Sequence, residues 1–89
     1  MNKFILWGSY CKDALEKRTP YRNEHLNRLS NLKEEGTLIT LGPTKCNKHV
    51  FGIFKGEDIK YVRKLVKDDI YWKEGIWTEF EIYSWTQAF

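Results

Sequence analysis

His25 and Arg22 are the residues of this 89-residue chain whose positions first suggest chemistry. On a helix, which turns about 100° per residue, Leu32 lies about 20° from His25, Leu29 about 40° and Arg22 about 60°. The imidazole and the guanidinium would therefore share the apolar side of the helix with these leucines. Such polar groups need partners, because leaving one buried and unpaired costs about 1–3 kcal/mol. An imidazole paired with a carboxylate can act as a general base near neutral pH.

The helix that positions these two side chains is predicted to begin at Thr19-Pro20 and to run to Glu35. Threonine is a common cap residue, and proline suits the first helical position because the N–H that it lacks would have no helical partner there. Gly36 follows the last periodic residue and supplies the left-handed turn that often ends a helix. The sequence therefore predicts one helix over residues 19–35.

Four strands and a second helix are predicted around this element. The strands cover residues 3–10, 37–41, 49–55 and 76–85. The second helix opens at Gly56-Glu57-Asp58 and ends in basic residues up to Lys67, as the helix dipole favours. With right-handed crossovers, the order βαββαβ predicts a ferredoxin-like α+β fold with a four-stranded antiparallel sheet and both helices on one face. We expect one domain over residues 1–89.

Aromatic residues are expected to occupy the sheet face that the helices leave uncovered. Aromatic residues make up 16% of the chain, more than one small core needs. The alternation of the strands places these side chains on the open face: Trp7, Phe51, Trp77, Tyr83 and Trp85. A large exposed apolar face needs a cover, and the simplest cover is a second copy packed sheet against sheet about a two-fold axis. The sequence therefore predicts a homodimer.

Composition and cysteine usage argue against several other classes of protein. The net charge is +3 without a basic run of five residues, so we expect no nucleic-acid partner. Apolar runs are shorter than the ~18 residues that a membrane span needs, so we expect no membrane partner. Cys11 and Cys46 form no disulfide framework and predict a reduced, cytoplasmic protein. Together with His25 and His49 they fit no standard zinc spacing, and no metal or organic cofactor is expected.

Several short segments occur in an order and spacing typical of one family. They are Arg18 and Arg22-x-x-His25-Leu26, Gly36 before Thr37 to Leu41 and Gly42-Pro43, and Asp69-Ile70-Tyr71 before Gly75-Ile76-Trp77. Over nearly its whole length the sequence resembles the YCII-related domain family. The resemblance implies a ferredoxin-like fold, a dimer of the α+β barrel type and a His/Asp active site.

By this resemblance the catalytic pair is His25 and Asp69. The family's Asp-Pro-aromatic motif falls on Asp69, but Ile70 stands where the family has proline, which removes a constraint on φ. Asp68 is the alternative partner for His25. Arg22 would pair with Asp69 or bind an anionic substrate group, or else form an ordinary salt bridge.

The remaining pocket residues are expected to shape a site for a small molecule. Ser9, Gly42 and Pro43 would let a ligand approach the backbone. Trp7, Tyr71 and Trp72 would form aromatic walls suited to a planar ring. The resemblance implies a lyase or isomerase, since related branches include dehydrochlorinases of chlorinated hydroxyhydroquinones and muconolactone isomerases. The alternative is a non-catalytic ligand-binding or interaction module in which His25 is structural.

Overall fold

The computed structural model describes residues 2–89, which form one antiparallel sheet covered on one face by helices. The elements in chain order are β1 (Asn2–Tyr10), α1 (Ala14–Lys17), a 3₁₀ turn (Thr19–Tyr21), α2 (Arg22–Glu34), β2 (Leu38–Pro43), β3 (His49–Gly56), α3 (Ile59–Lys67), α4 (Ile70–Lys73) and β4 (Trp77–Trp85). The strand order is β2-β3-β1-β4. This topology confirms the predicted ferredoxin-like α+β fold, with α1 and α4 as additional single turns.

Strand β1 lies in the middle of the sheet, which explains why its residues are apolar on both alternation phases. Leu6 pairs with Gly52 of β3 on one side and with Ile82 of β4 on the other. Successive side chains point to opposite faces, so Phe4 and Leu6 face the helices while Ile5 faces the open side. The core lies between these sheet residues and the helices, and its buried members include Phe4, Leu6, Val50, Phe54, Ile82, Leu32, Val62 and Val66.

The helix boundaries follow local capping chemistry, with one departure from expectation. The prediction that Thr19 caps the long helix is wrong. Its hydroxyl donates to the carbonyl of Leu15 at 3.0 Å, and a 3₁₀ turn precedes α2. Gly36 has φ of +83°, which confirms the left-handed stop. Helix α3 begins after Asp58, whose side chain accepts a hydrogen bond from the Tyr61 amide at 2.8 Å.

A register shift at the end of β1 decides which aromatic residues lie on the open face. Ser9 pairs with Glu79, but Tyr10 pairs with Trp77, so β4 has one extra residue at this point. An extra residue moves the side chains beyond it to the other face. The prediction that Trp77 lies on the open face is therefore wrong, since its side chain is 2% exposed beneath the helices. Trp7 on the open face is 41% exposed.

Candidate active site

The buried side of α2 carries His25 and Arg28 rather than His25 and Arg22. His25 is 4% exposed, whereas Arg22 is exposed at the start of the helix. The predicted pairing of Arg22 with Asp69 is not formed. Helix α2 is rotated so that the side carrying Arg28, and not the side carrying Arg22, faces the segment with Asp69. Leu26, which lies beyond Arg22 on the helix surface, is 42% exposed for the same reason. Arg28 is about 60° from His25 in the opposite direction and faces the segment that carries Asp69.

Asp69 is held between α3 and α4 by its role as a helix cap. It is the residue before α4, with extended φ and ψ of −73° and 139°, and its Oδ1 accepts from the Tyr71 amide at 2.9 Å. Asp69 is buried, with 0% of its residue surface exposed. A capping carboxylate is fixed in direction, so the local fold of this turn aims Asp69 at α2.

His25 and Asp69 form a buried hydrogen bond. The distance between His25 Nδ1 and Asp69 Oδ1 is 2.7 Å. An ionised carboxylate can only accept, so Nδ1 carries the proton and the lone pair of the neutral ring lies on Nε2. Within residues 2–89 Nε2 has no hydrogen-bond partner, and it retains some contact with solvent. The arrangement fixes the tautomer of His25 and leaves the lone pair of Nε2 without a hydrogen-bond partner in the described chain.

Arg28 completes the bonding of the carboxylate. Its Nη1 donates to Asp69 Oδ2 at 3.1 Å and its Nη2 donates to the carbonyl of Leu65 at 2.8 Å. Our sequence interpretation missed this residue. Its position three residues after His25 was the available signal, since residues at that spacing are neighbours on a helix surface.

Aromatic rings enclose the imidazole. The ring of Tyr71 stacks on His25 with centroids 3.6 Å apart and an interplanar angle of 6°. The edge of Trp77 approaches at 5.3 Å and 85°. Packed rings on two sides restrict rotation about the side-chain bonds of His25, so the orientation of Nε2 is set by packing as well as by Asp69.

Two phenols and two basic side chains surround this cluster. Burial raises the pKa of Tyr71, an effect that nearby Arg18 and Arg22 oppose. Burial also raises the pKa of Tyr10. The indole of Trp77 lies close to the Tyr10 phenol, but its buried Nε1 has no hydrogen-bond partner in the described chain. Both phenols are therefore neutral donors at physiological pH beside positive charge.

Asp68 takes no part in this cluster. Its carboxylate accepts from Lys64 Nζ at 2.9 Å at the surface. That hydrogen bond lowers the pKa of Asp68. The alternative that Asp68 is the partner of His25 is wrong, because Asp68 ends α3 and points along that helix toward Lys64, one turn earlier.

The other predicted pocket residues are distributed away from His25. Trp7 and Ser9 lie on the open sheet face, where with His49 and Glu79 they line a concavity of about 460 Å³. Trp7 stacks on His49 with centroids 4.8 Å apart. The sheet separates these residues from His25, so the two groups do not form one pocket.

The end of β2 also lies apart from His25. Gly42 pairs with Phe51 in the edge of the sheet, and Pro43 is exposed. Trp72 packs edge-on against Phe80 at 5.0 Å rather than against the imidazole. Of the pocket residues predicted beside His25, the structure thus brings Tyr71 into contact with its ring.

Residues 2–89 show neither a cluster of metal ligands nor a membrane-spanning helix. No three His, Cys, Asp or Glu side chains within residues 2–89 converge where a metal ion could bind. His25 and His49, whose spacing fits no standard zinc pattern, lie on opposite sides of the sheet. None of the helices described is long and apolar enough to cross a membrane.

Comparison with known proteins identifies the family. The model of the YCII-related domain matches residues 2–86. The chain belongs to the YCII-related domain family. Among solved structures this YCII-related domain is similar to 5-chloro-2-hydroxyhydroquinone dehydrochlorinase (TftG) from Burkholderia phenoliruptrix AC1100, in complex with 2,5-dihydroxybenzoquinone. The TM-score is 0.82 at 21% identity, over 97% of this chain and 95% of that one, which shows a shared fold. Curated proteins gave no match.

Proposed function

We propose that this YCII-related domain is a small enzyme of the lyase or isomerase type, with His25 as general base and Asp69 as the residue that orients it. The observation that carries the proposal is the 2.7 Å bond from His25 Nδ1 to Asp69, which leaves Nε2 without a hydrogen-bond partner among residues 2–89. A tautomer fixed in this way places a lone pair where a substrate proton can be taken, and the carboxylate stabilises the imidazolium that forms.

The proposed substrate class is a planar hydroxylated ring. Tyr71 and Trp77 provide flat apolar surface next to the imidazole, and Arg18 and Arg22 provide positive charge for ionised ring oxygens. TftG, which shares the fold, is named for dehydrochlorination of such a ring. The chemistry of a hydroxylated ring therefore matches the groups found around His25.

The reaction we propose is loss of a proton and a chloride ion from a chlorinated hydroxyhydroquinone. In its keto tautomer the chlorine is on a saturated carbon. His25 Nε2 removes a ring hydroxyl proton and the O–H electron pair forms a carbonyl. The adjacent ring C=C pair shifts to form a new double bond to the chlorine-bearing carbon, and chloride leaves with the C–Cl pair. One H⁺ and one Cl⁻ are released in total. A residue acting as general base contributes about 10²- to 10⁴-fold to such a step.

A turnover screen over hydroxylated and chlorinated hydroxylated rings tests the proposal, with chloride release and quinone absorbance as signals. Purified wild type is compared with His25→Ala and with Asn27→Ala, which changes an exposed position on the same helix. We expect turnover in wild type and Asn27→Ala and a loss of about 10²-fold or more in His25→Ala. Equal turnover in wild type and His25→Ala would remove His25 from the mechanism.

The depth of the dyad favours one alternative, a ligand-binding module without catalysis. His25 is 4% and Asp69 0% exposed, as is common for structural hydrogen-bonded pairs. In that case the same rings would bind without turnover. Calorimetry with 2,5-dihydroxybenzoquinone distinguishes the two functions, since binding that depends on Arg18 and Arg22 without turnover of any tested ring supports the module.

We also propose that a second copy covers the open sheet face. An apolar band crosses this face and consists of Ile5, Trp7, Phe51, Ile53 and Tyr83. Lys3 and Lys55 lie at one end of the band, and Glu79 and Glu81 lie at the other. A two-fold axis that reverses the strand direction sets the basic end of one copy over the acidic end of the other. We further infer a cytoplasmic location, because Cys11 and Cys46 are free thiols.

The solution mass tests the dimer. Light scattering at micromolar concentration should give twice the chain mass of 10.7 kDa, and Trp7→Glu should shift the population toward monomer. Thr86→Glu, at an exposed position beyond the end of β4, is the matched control and should leave the mass unchanged. A wild-type mass of one chain would contradict the dimer without affecting the proposal for His25.

A further inference from the structure

Arg28 connects three elements around the buried Asp69. It starts from α2, donates through Nη1 to Asp69 before α4, and donates through Nη2 to the Leu65 carbonyl near the end of α3. Its side chain is 28% exposed while that of Asp69 is 1% exposed. The planar guanidinium thus places two fixed donors, one on the buried carboxylate and one on the backbone that precedes it.

The charge of the Arg28 guanidinium determines whether His25 must be protonated to balance the Asp69 carboxylate. A carboxylate with almost no contact with water requires a positive partner. Asp69 has two groups that can supply the charge, Arg28 on Oδ2 and an imidazolium at His25 on Oδ1. Arginine is always protonated, so the carboxylate is already balanced while His25 is neutral. A neutral His25 has its lone pair on Nε2, and an imidazolium has none.

Other ionisable groups lie around His25 and Asp69, but none of those described supplies a second hydrogen-bonded positive charge to the Asp69 carboxylate. Arg18 and Arg22 lie near Tyr71, whose ring stacks on His25, and both phenols are neutral. The groups that approach the cluster from each packed element are Tyr10 of β1, Arg18 before α2, Arg22 of α2, Tyr71 of α4, and Asp68 and Lys73 near Arg28. Of the basic groups, Arg28 is the one that bonds to the Asp69 carboxylate.

We propose that Arg28 is a positioning residue, which keeps His25 neutral and its Nε2 free by carrying the charge that balances Asp69. Removing the guanidinium leaves the imidazole as the remaining partner of a buried anion. His25 would then hold a second proton at neutral pH and lose its ability to act as a base. For its kinetic consequence this inference rests on the proposed function, but the charge state of the ring is measured without any substrate.

The test is ¹⁵N NMR of histidine-labelled protein over pH 5 to about 9, the range in which histidines titrate. The chain has two histidines, and His49→Gln identifies the signals of His25. Wild type is compared with Arg28→Met and Arg28→Lys. Lys33→Met is the matched control, since it removes a charge from an exposed position of the same helix.

We expect wild type, Arg28→Lys and Lys33→Met to show a neutral ring with the proton on Nδ1 at pH 7.5. In Arg28→Met the ring should charge at a pH higher by about one unit or more. If Arg28→Met titrates together with Lys33→Met, the inference is overturned. If Arg28→Met does not fold, as judged by circular dichroism, Arg28→Gln carries the same comparison.

Kinetics provide the second arm once a substrate is found. Arg28→Met should lower kcat near neutral pH with a smaller change in KM, and its activity should recover as pH rises and the ring loses its second proton. A uniform loss at every pH would assign Arg28 a purely structural role and overturn the inference. Absence of turnover in wild type would instead contradict the proposed function and leave the NMR result to decide on Arg28.

Discussion

Replacing Asp69 by asparagine should destabilise the protein, although the two side chains have nearly the same size and shape. Asp69 accepts three hydrogen bonds, from His25 Nδ1 at 2.7 Å, the Tyr71 amide at 2.9 Å and Arg28 Nη1 at 3.1 Å. Asparagine caps helices as well as aspartate does, so the bond from Tyr71 can persist. The changes are the loss of the charge and the replacement of one acceptor by an NH₂ group that faces a donor.

The size of the effect follows from the two remaining bonds. Hydrogen bonds to charged groups contribute about 1.5–3 kcal/mol each, and breaking a buried ion pair costs about 3–5 kcal/mol. Arg28 is 28% exposed and can turn to water, which reduces the cost on its side. We therefore expect Asp69→Asn to lower the free energy of unfolding by about 2–3 kcal/mol. That is a large share of the roughly 4–13 kcal/mol expected for a chain of this length.

Urea unfolding followed by tryptophan fluorescence measures this change, and Asp68→Asn is the matched control. Asp68 is the preceding residue, but its carboxylate is at the surface and pairs with Lys64. We expect no measurable shift of the urea midpoint for Asp68→Asn at moderate salt. Equal midpoints for the two variants would refute the reasoning, since they would show that the buried carboxylate stabilises the fold no more than an exposed one.

The remaining predictions concern pH and one glycine. Burial raises the pKa of Tyr10 and Tyr71 above the reference value of 10.0, so the unfolded chain loses these protons first. The stabilising contribution of the two phenols is complete below pH 10 and is lost as pH rises through their folded-state pKa values. Urea midpoints from about pH 9 upward should therefore fall less steeply in Tyr10→Phe than in wild type. Gly8→Ala should cost about 1–3 kcal/mol in the same assay, because the added carbon would lie 2.9 Å from the carbonyl of Glu79. A cost no greater than that of Gly42→Ala, where the added carbon meets nothing within 4 Å, would contradict this account.

The sequence predicted those features that depend on the periodicity of single elements. The position of His25 on the buried side of a helix and the apolar character of β1 on both phases are of this kind. The choice between Arg22 and Arg28 is not, since both lie about 60° from His25, and Leu26 and Leu29 lie on the side of Arg22, which the structure does not turn toward Asp69. That choice depends on where the segment with Asp69 lies, which is a tertiary contact 41 residues from Arg28.

Trp77 shows a second limit, which concerns strands. Alternation assigns it to the face of Tyr83, and the assignment fails because β4 has one extra residue opposite Ser9 and Tyr10. Nothing in the local sequence marks this irregularity, since Thr78 and Glu79 are ordinary strand residues. The error mattered for the site, because Trp77 packs its edge against the ring of His25.

Ile70 tests whether the pose of Asp69 depends on the proline found in the family motif. Asp69 has φ of −73° and ψ of 139°, the extended conformation that a residue before proline prefers. Here the cap bond to the Tyr71 amide holds that conformation instead. Ile70 is the first residue of α4, where proline fits because the N–H has no helical partner.

Ile70→Pro should therefore fold with the bond between His25 and Asp69 intact. The fixed φ of proline stabilises by about 0.4–1 kcal/mol through the unfolded state, and the loss of part of the half-buried isoleucine offsets this gain. Ile70→Ala loses that packing without the gain, so its urea midpoint should lie below that of Ile70→Pro. The reverse order, or a changed ¹⁵N signal of His25 in Ile70→Pro, would show that this turn rejects proline and that the family's two ways of fixing the aspartate are not equivalent.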